Sequence, residues 1–231
     1  MAWLRKYLDT VIAPLALAGL YAWLMYNSGA GRLAAVVAAM FFVAIIMLWF
    51  GVRRLRIHAS ASRLAAIGRP DELLELVERE LPVRLTAGTR APMHVFAAMA
   101  HNLKGDAAAA RRSLDLAGIV PGSKALRSWQ FLWAAADIHA RTATGDVAGA
   151  RATFSQGIAP LRPRASGGIE LVIIEAEARI KLAEGDGDGA RELLEPLLKD
   201  VRLGPGARAQ LKTLSDQAGA AAGGAEVPSS G

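Results

Sequence analysis

The stretch whose reading decides the fold is "AEGDGDGARELLEPLL", residues 183–198. Two aspartates alternate with glycines between Gly185 and Gly189, which allows a calcium loop, a linker or a turn. A calcium loop of the EF-hand kind needs oxygen ligands at alternate positions, a central glycine and a glutamate in twelfth place. Counted from Asp186, the fifth position is Ala190, the sixth Arg191 and the twelfth Leu197, so the donor set is missing. The linker reading fails against the rest of the chain. "GDAAAAR" begins at Gly105 and "GDVAGAR" at Gly145, so Gly-Asp-x-x-x-Ala-Arg recurs with a period of 40 residues.

A fixed period of this length signals stacked supersecondary units. Helical patterns precede the three turns at 92–104, 126–142 and 169–184, and follow them at 107–117, 147–159 and 187–199. An earlier, weaker copy is "RLAAIGRPDELLELVERELP", with Gly68 at the turn. The chemistry of the turn is legible. Glycine supplies the left-handed backbone that ends one helix. Aspartate accepts from the free N–H groups that open the next and complements its dipole. Small residues Ala110, Ala150 and Ala190 let the paired helices approach, and Leu114, Phe154 and Leu194 follow on the same face. One pair cannot bury its apolar side alone, so neighbours must stack.

These residues resemble the tetratricopeptide repeat family, whose unit is two antiparallel helices crossing at small residues. The copy at 91–121 fits best, with Ala98, Ala110 and Ala117 at the small positions and Pro121 near the closing proline. The copy at 169–200 keeps Ala178 and Ala190 but has Leu197 at the third small position. The copy at 126–160 keeps Ala150 and Gly157, while Ile138 stands where a small residue is expected. The period of 40 exceeds the family's 34, so longer-period repeats of the HEAT type are the alternative. The resemblance covers roughly residues 55–200. It implies an all-α fold, a TPR-like α-solenoid of about four helix pairs over 55–218; "GPGARAQLKTLSDQAG" reads as a capping helix at 206–218, and the Gly/Ala/Ser-rich tail at 219–231 is expected to be disordered. The resemblance also implies a concave protein-binding face carrying Val95, Met99, Asn102, Ala135, His139, Val172, Glu175, Arg179 and Leu182. The family's carboxylate-clamping set is not reproduced, so the groove suits an amphipathic helix or extended peptide.

Composition shapes the other end of the chain. Mean hydropathy is +0.27 and there is no cysteine, which excludes disulfides, thiolate metal sites and cysteine nucleophiles. Residues 1–68 carry Arg5, Lys6, Arg32, Arg53, Arg54, Arg56 and Arg63 against Asp9 alone, which accounts for the whole net charge of +6. The repeat region is balanced, which argues against nucleic-acid binding. The excess instead flanks two uncharged runs, 10–26 and 33–52. At about 1.5 Å per residue the second run is roughly 30 Å long, the thickness of a bilayer core. We therefore expect a transmembrane helical hairpin at 1–54, with Arg53, Arg54 and Arg56 at the membrane interface, where they would also meet anionic lipid. The positive-inside rule places both termini in the cytoplasm. The Ala/Gly/Arg-rich composition points to a bacterial inner membrane. Nothing breaks the helix after Gly51, so the second run is expected to continue into the first repeat.

Catalytic motifs are not found. His94 and His101 are seven apart and could share a helix face, but no ligand spacing joins them or His58 to a metal site. "PGSK" at 121–124 lacks the glycine spacing and strand of a phosphate loop. No Gly-x-Ser-x-Gly occurs, and Glu175 and Glu177 are two apart, on different helix faces. The expectation is a non-enzymatic scaffold without cofactor or metal that binds a partner protein at the membrane. The alternative is an accessory or assembly subunit of a membrane complex, its hairpin touching other subunits through Ala18, Ala22, Ala35 and Ala39.

Overall fold

The structure is a computed structural model that describes residues 19–21, 23–24, 26–28, 31–84, 87–119, 127–164, 168–200 and 205–223. Among these residues it is all-α. Helix α1 spans Gly31–Ala66, α2 Pro70–Glu80, α3 Ala87–Leu103, α4 Ala107–Ala117 and α5 Arg127–Ala143. Helix α6 spans Val147–Thr153, α7 Gly168–Ala183, α8 Gly187–Leu198 and α9 Pro205–Gly223. The chain divides into two compact units, Met1–Ala61 and Ser62–Gly231.

The Gly-Asp turns share one geometry. Gly105, Gly145 and Gly185 have φ of 76°, 78° and 83°. The aspartate N–H after each glycine reaches five residues back, to His101, Arg141 and Lys181 carbonyls, at 2.9 Å in all three cases. This double-bonded helix ending satisfies carbonyls that the helix itself leaves open. Each aspartate then caps the next helix: Asp106 accepts from Ala109 N at 2.8 Å, Asp146 from Gly149 N at 3.0 Å and Asp186 from Gly189 N at 2.9 Å. Gly68, φ 71°, repeats the ending without the cap, because Arg69 stands where the aspartate would.

In the second unit consecutive helices pack together, and α3, α5, α7 and α9 also pack in series: α5 meets α3, α4, α6 and α7, and α7 meets α8 and α9. The core is a series of clusters. Ala98, Ala110 and Leu114 pack with Ala136 and Ala140; Ala134, Ile138 and Ala150 pack with Ile158, Ile173 and Ile180; Ala178, Leu194 and Leu197 pack with Leu211 and Leu214. The expected small positions Ala98, Ala110, Ala150, Ala178 and Ala190 are all fully buried.

Three helix boundaries differ from expectation. Helix α3 starts at Ala87, with Pro92 inside it and fully buried, and Arg84 donates to the Thr89 carbonyl in its first turn. The helix after the second turn stops at Thr153 and continues as a π-helical turn, Phe154–Ile158, then a 3₁₀ stretch, Ala159–Arg164. The extra residue of the π turn sets Gly157 against Ala134, where an added Cβ would lie 2.8 Å from the alanine Cβ, and turns Ile158 into the core beside Ile138. The misplaced Ile138 is thereby accommodated. Helix α9 runs on to Gly223, past the expected end at 218, and the remaining tail lies outside the described residues.

In the first unit α1 passes Gly51 without a break. Its side chains Met40, Phe41, Met47, Leu48 and Leu55 are exposed. Among the described residues no helix is long and apolar enough to cross a membrane. The expected transmembrane helices, and with them integral localisation in a bacterial inner membrane with cytoplasmic termini, are corrected on this finding. Most of the run at 10–26 lies outside the described residues.

Candidate functional site

Helices α3, α5 and α7 occupy the same place in successive repeats, so residues 40 apart fall at equivalent points. Their common face lines a cavity of about 120 Å³ in the second unit. Met99, Asn102 and Leu103 come from α3; Leu132, Ala135, Ala136 and His139 from α5; Val172, Glu175, Ala176 and Arg179 from α7. Within each helix these lie three or four apart, on one face. Met99, His139 and Arg179 are one equivalent set; Ala135 and Glu175 are another. Ala65, from the end of α1, and Gln210, from α9, complete the wall.

The ends of the helix series meet beside this cavity. Gly206, in the first turn of α9, lies against the backbone at the end of α1, where an added Cβ would come within 2.6 Å of the Ile67 carbonyl carbon. Only glycine lets the two backbones approach so closely.

The polar wall is ordered by Arg179. Its Nη2 donates to Glu175 Oε1 at 2.8 Å and its Nη1 lies 3.2 Å from His139 Nε2. A guanidinium can only donate, so His139 Nε2 accepts and the ring proton sits on Nδ1. Desolvation, then the Arg179 charge, lowers the His139 pKa to about 3, so the ring is neutral at any ordinary pH. A base of that pKa is a weak proton acceptor near neutrality. Asn102 donates from Nδ2 to the Ala136 carbonyl at 2.8 Å, tying α3 to α5, and its buried Oδ1 has no partner among the described residues. A buried acceptor left unpaired costs about 1–3 kcal/mol.

Of the residues expected on a concave face, Met99, Asn102, Ala135, His139, Val172, Glu175 and Arg179 line the cavity. Leu182 does not; it packs partly buried against the Ala178 and Leu194 cluster. Val95 is a correction. It is fully buried against Ala91, Ala117 and Ile119, because the first pair closes over this position with Ile119 from the chain after α4. Arg54 and Arg56 are exposed on α1, and Arg53 is half-buried. His94 and His101 lie on α3 outside the cavity lining, and "PGSK" falls outside the described residues. Among the described residues no three His, Asp or Glu side chains group as a metal site.

One cluster escaped the sequence reading. Asp137 is almost wholly buried, yet it accepts from Arg111 Nη1 at 2.7 Å, Arg141 Nε at 2.6 Å and Thr153 Oγ1 at 2.7 Å. Arg111 is the arginine of the first Gly-Asp motif, and Arg151, its equivalent in the second, pairs with Glu184. Both reach from the second helix of one repeat to the first helix of the next. The available signal was a lone carboxylate inside the apolar run "WAAADI".

No family model matches the chain, and no curated protein or solved structure is similar to it. The tetratricopeptide resemblance therefore rests on the sequence pattern alone.

Proposed function

We propose that helices α2 to α9 form a short α-solenoid that acts as an adaptor, binding a partner protein at the cavity between α3, α5 and α7 and catalysing no reaction. The carrying observation is that equivalent residues of three successive repeats converge on one concave site with unpaired polar groups. Such a lining, apolar with a few convergent polar side chains, is the usual form of a binding pocket. The cavity is much smaller than a helix-binding groove, so a partner would insert a side chain and rest its backbone on the rim. A photo-crosslinking residue at Met99 or Leu132 in the full-length chain should capture the same protein from both sites. The same residue at exposed Arg112 should capture none. Equal capture at all three positions would overturn the reading.

A second reading rests on α1. Its exposed Met40, Phe41, Met47 and Leu48 form more apolar surface than a protein leaves in water without use. On this reading the chain is an assembly subunit whose α1 contacts other subunits. A complex that survives deletion of residues 69–231 favours it; a complex lost on that deletion favours the adaptor.

A further inference from the structure

The cavity is selective in a way that its size and wall define. Its volume of about 120 Å³ is near the roughly 150 Å³ of an engineered cavity that admits benzene. It is too small for a ligand of several rings. Met99, Leu103, Leu132 and Val172 give it apolar sides. An apolar occupant alone would leave the polar wall unanswered.

On that wall, beside the buried Oδ1 of Asn102, His139 keeps a donor open and Glu175 an acceptor. Arg179 occupies His139 Nε2 and so forces the proton onto Nδ1. Arg179 also uses two of its nitrogens on a single oxygen of Glu175, Oε1. Among the described residues no protein atom engages His139 Nδ1 or Glu175 Oε2. Neither belongs to the sealed polar atoms, so both can be reached from outside. The Glu175–Arg179 pair is neutral as a unit and the histidine carries no charge. A charged occupant therefore gains no counter-ion, while a neutral group that both donates and accepts can satisfy the two together.

We propose that the cavity binds a phenolic side group: the ring lies among Met99, Leu103, Leu132 and Val172, and the hydroxyl donates to Glu175 Oε2 while accepting from His139 Nδ1–H. Its source is a tyrosine of the partner protein. This rests on the adaptor reading, which the crosslinking above tests separately. A captured partner together with no phenol binding would sink this inference and leave that reading standing.

The test uses the full-length chain and p-cresol, the side chain of tyrosine as a free molecule, with toluene as its isostere lacking the hydroxyl. Binding is followed by ligand-observed NMR or calorimetry. We expect p-cresol to bind roughly tenfold more tightly than toluene, the size of one good hydrogen bond. Ala135→Leu fills the cavity and should abolish p-cresol binding while leaving the helical circular dichroism intact. His139→Leu should lower the affinity for p-cresol relative to the unaltered chain while sparing that for toluene. Equal affinities in the unaltered chain, or p-cresol binding that persists in Ala135→Leu, overturn the proposal. Should either variant lose its helical signal, the ratio in the unaltered chain still decides. An N-acetyl tyrosine amide separates the sources. Binding by it supports a tyrosine of a protein chain, whereas p-cresol binding without it replaces that source with a free small phenol.

Discussion

Gly105 shows how a single residue can hold a turn for reasons of backbone alone. Its φ is 76° and an added Cβ would meet nothing within 4 Å. Gly105→Ala should therefore destabilise the chain by about 1–2 kcal/mol through the left-handed backbone, measured as a lower denaturant midpoint with an unchanged m-value. Gly189 differs. It has no positive φ, but a Cβ there would press on the Asp186 carboxylate and come within 2.6 Å of Lys181 Nζ. Glycine here leaves room for lysine and backbone to share one capping carboxylate. His139 adds a pH dependence. Its folded pKa of about 3 lies below the unfolded value near 6.5. Between these values the unfolded chain binds the extra proton, so the residue's contribution is present above about pH 6.5 and is lost as pH falls toward 3. Against the unaltered protein, His139→Leu should gain in relative stability as pH is lowered from 7 to 4. A difference in stability that stays constant over that range would refute the assignment of a neutral, desolvated ring.

At the scale of elements, the second repeat is the informative one. Its α5 carries Ile138 where its neighbours carry alanine, and Ile158 of the π turn packs in the same cluster. The π turn at Phe154–Ile158 shifts the register and delivers Gly157 to Ala134. Gly157→Ala would overpack that contact and should cost about 1–3 kcal/mol; equilibrium unfolding that shows no loss would mean that the π turn has slack. The Gly-Asp turns were legible because each depends on two adjacent residues and local geometry. The π turn was not, since its cause is a residue on another helix, and nothing within "FSQGI" announces it. Asp137 was hidden for the same reason: its three partners come from α4, α5 and α6, brought together only by packing. The carboxylate links α4 and α6 to α5 through Arg111 and Thr153, while Arg141, on its own helix, keeps it paired.

For the second unit as a whole, the meeting of α9 with the end of α1 decides whether the cavity is an open groove or a walled site. Gly206 is the point of closest approach. Gly206→Ala should push α9 outward and speed amide hydrogen exchange along α9, while the amides of α5 in the core of the unit stay protected. Exchange that is unchanged along α9 would show that this contact does not hold the wall in place. The same closure explains why a groove suited to a whole helix became a cavity of about 120 Å³. Seven of the face positions could be placed from the period, because three helices in one phase present the same face. Val95 could not, since Ile119 covers it from beyond the end of α4. The sequence by itself determined an all-α chain, the 40-residue period and the turns, because glycine φ and aspartate capping are local properties. Tertiary structure alone decided which face residues remain open, how Ile138 is accommodated, and that Gln210 and Ala65 wall the site. Each of these depends on the distance between backbones far apart in sequence, which no local pattern records.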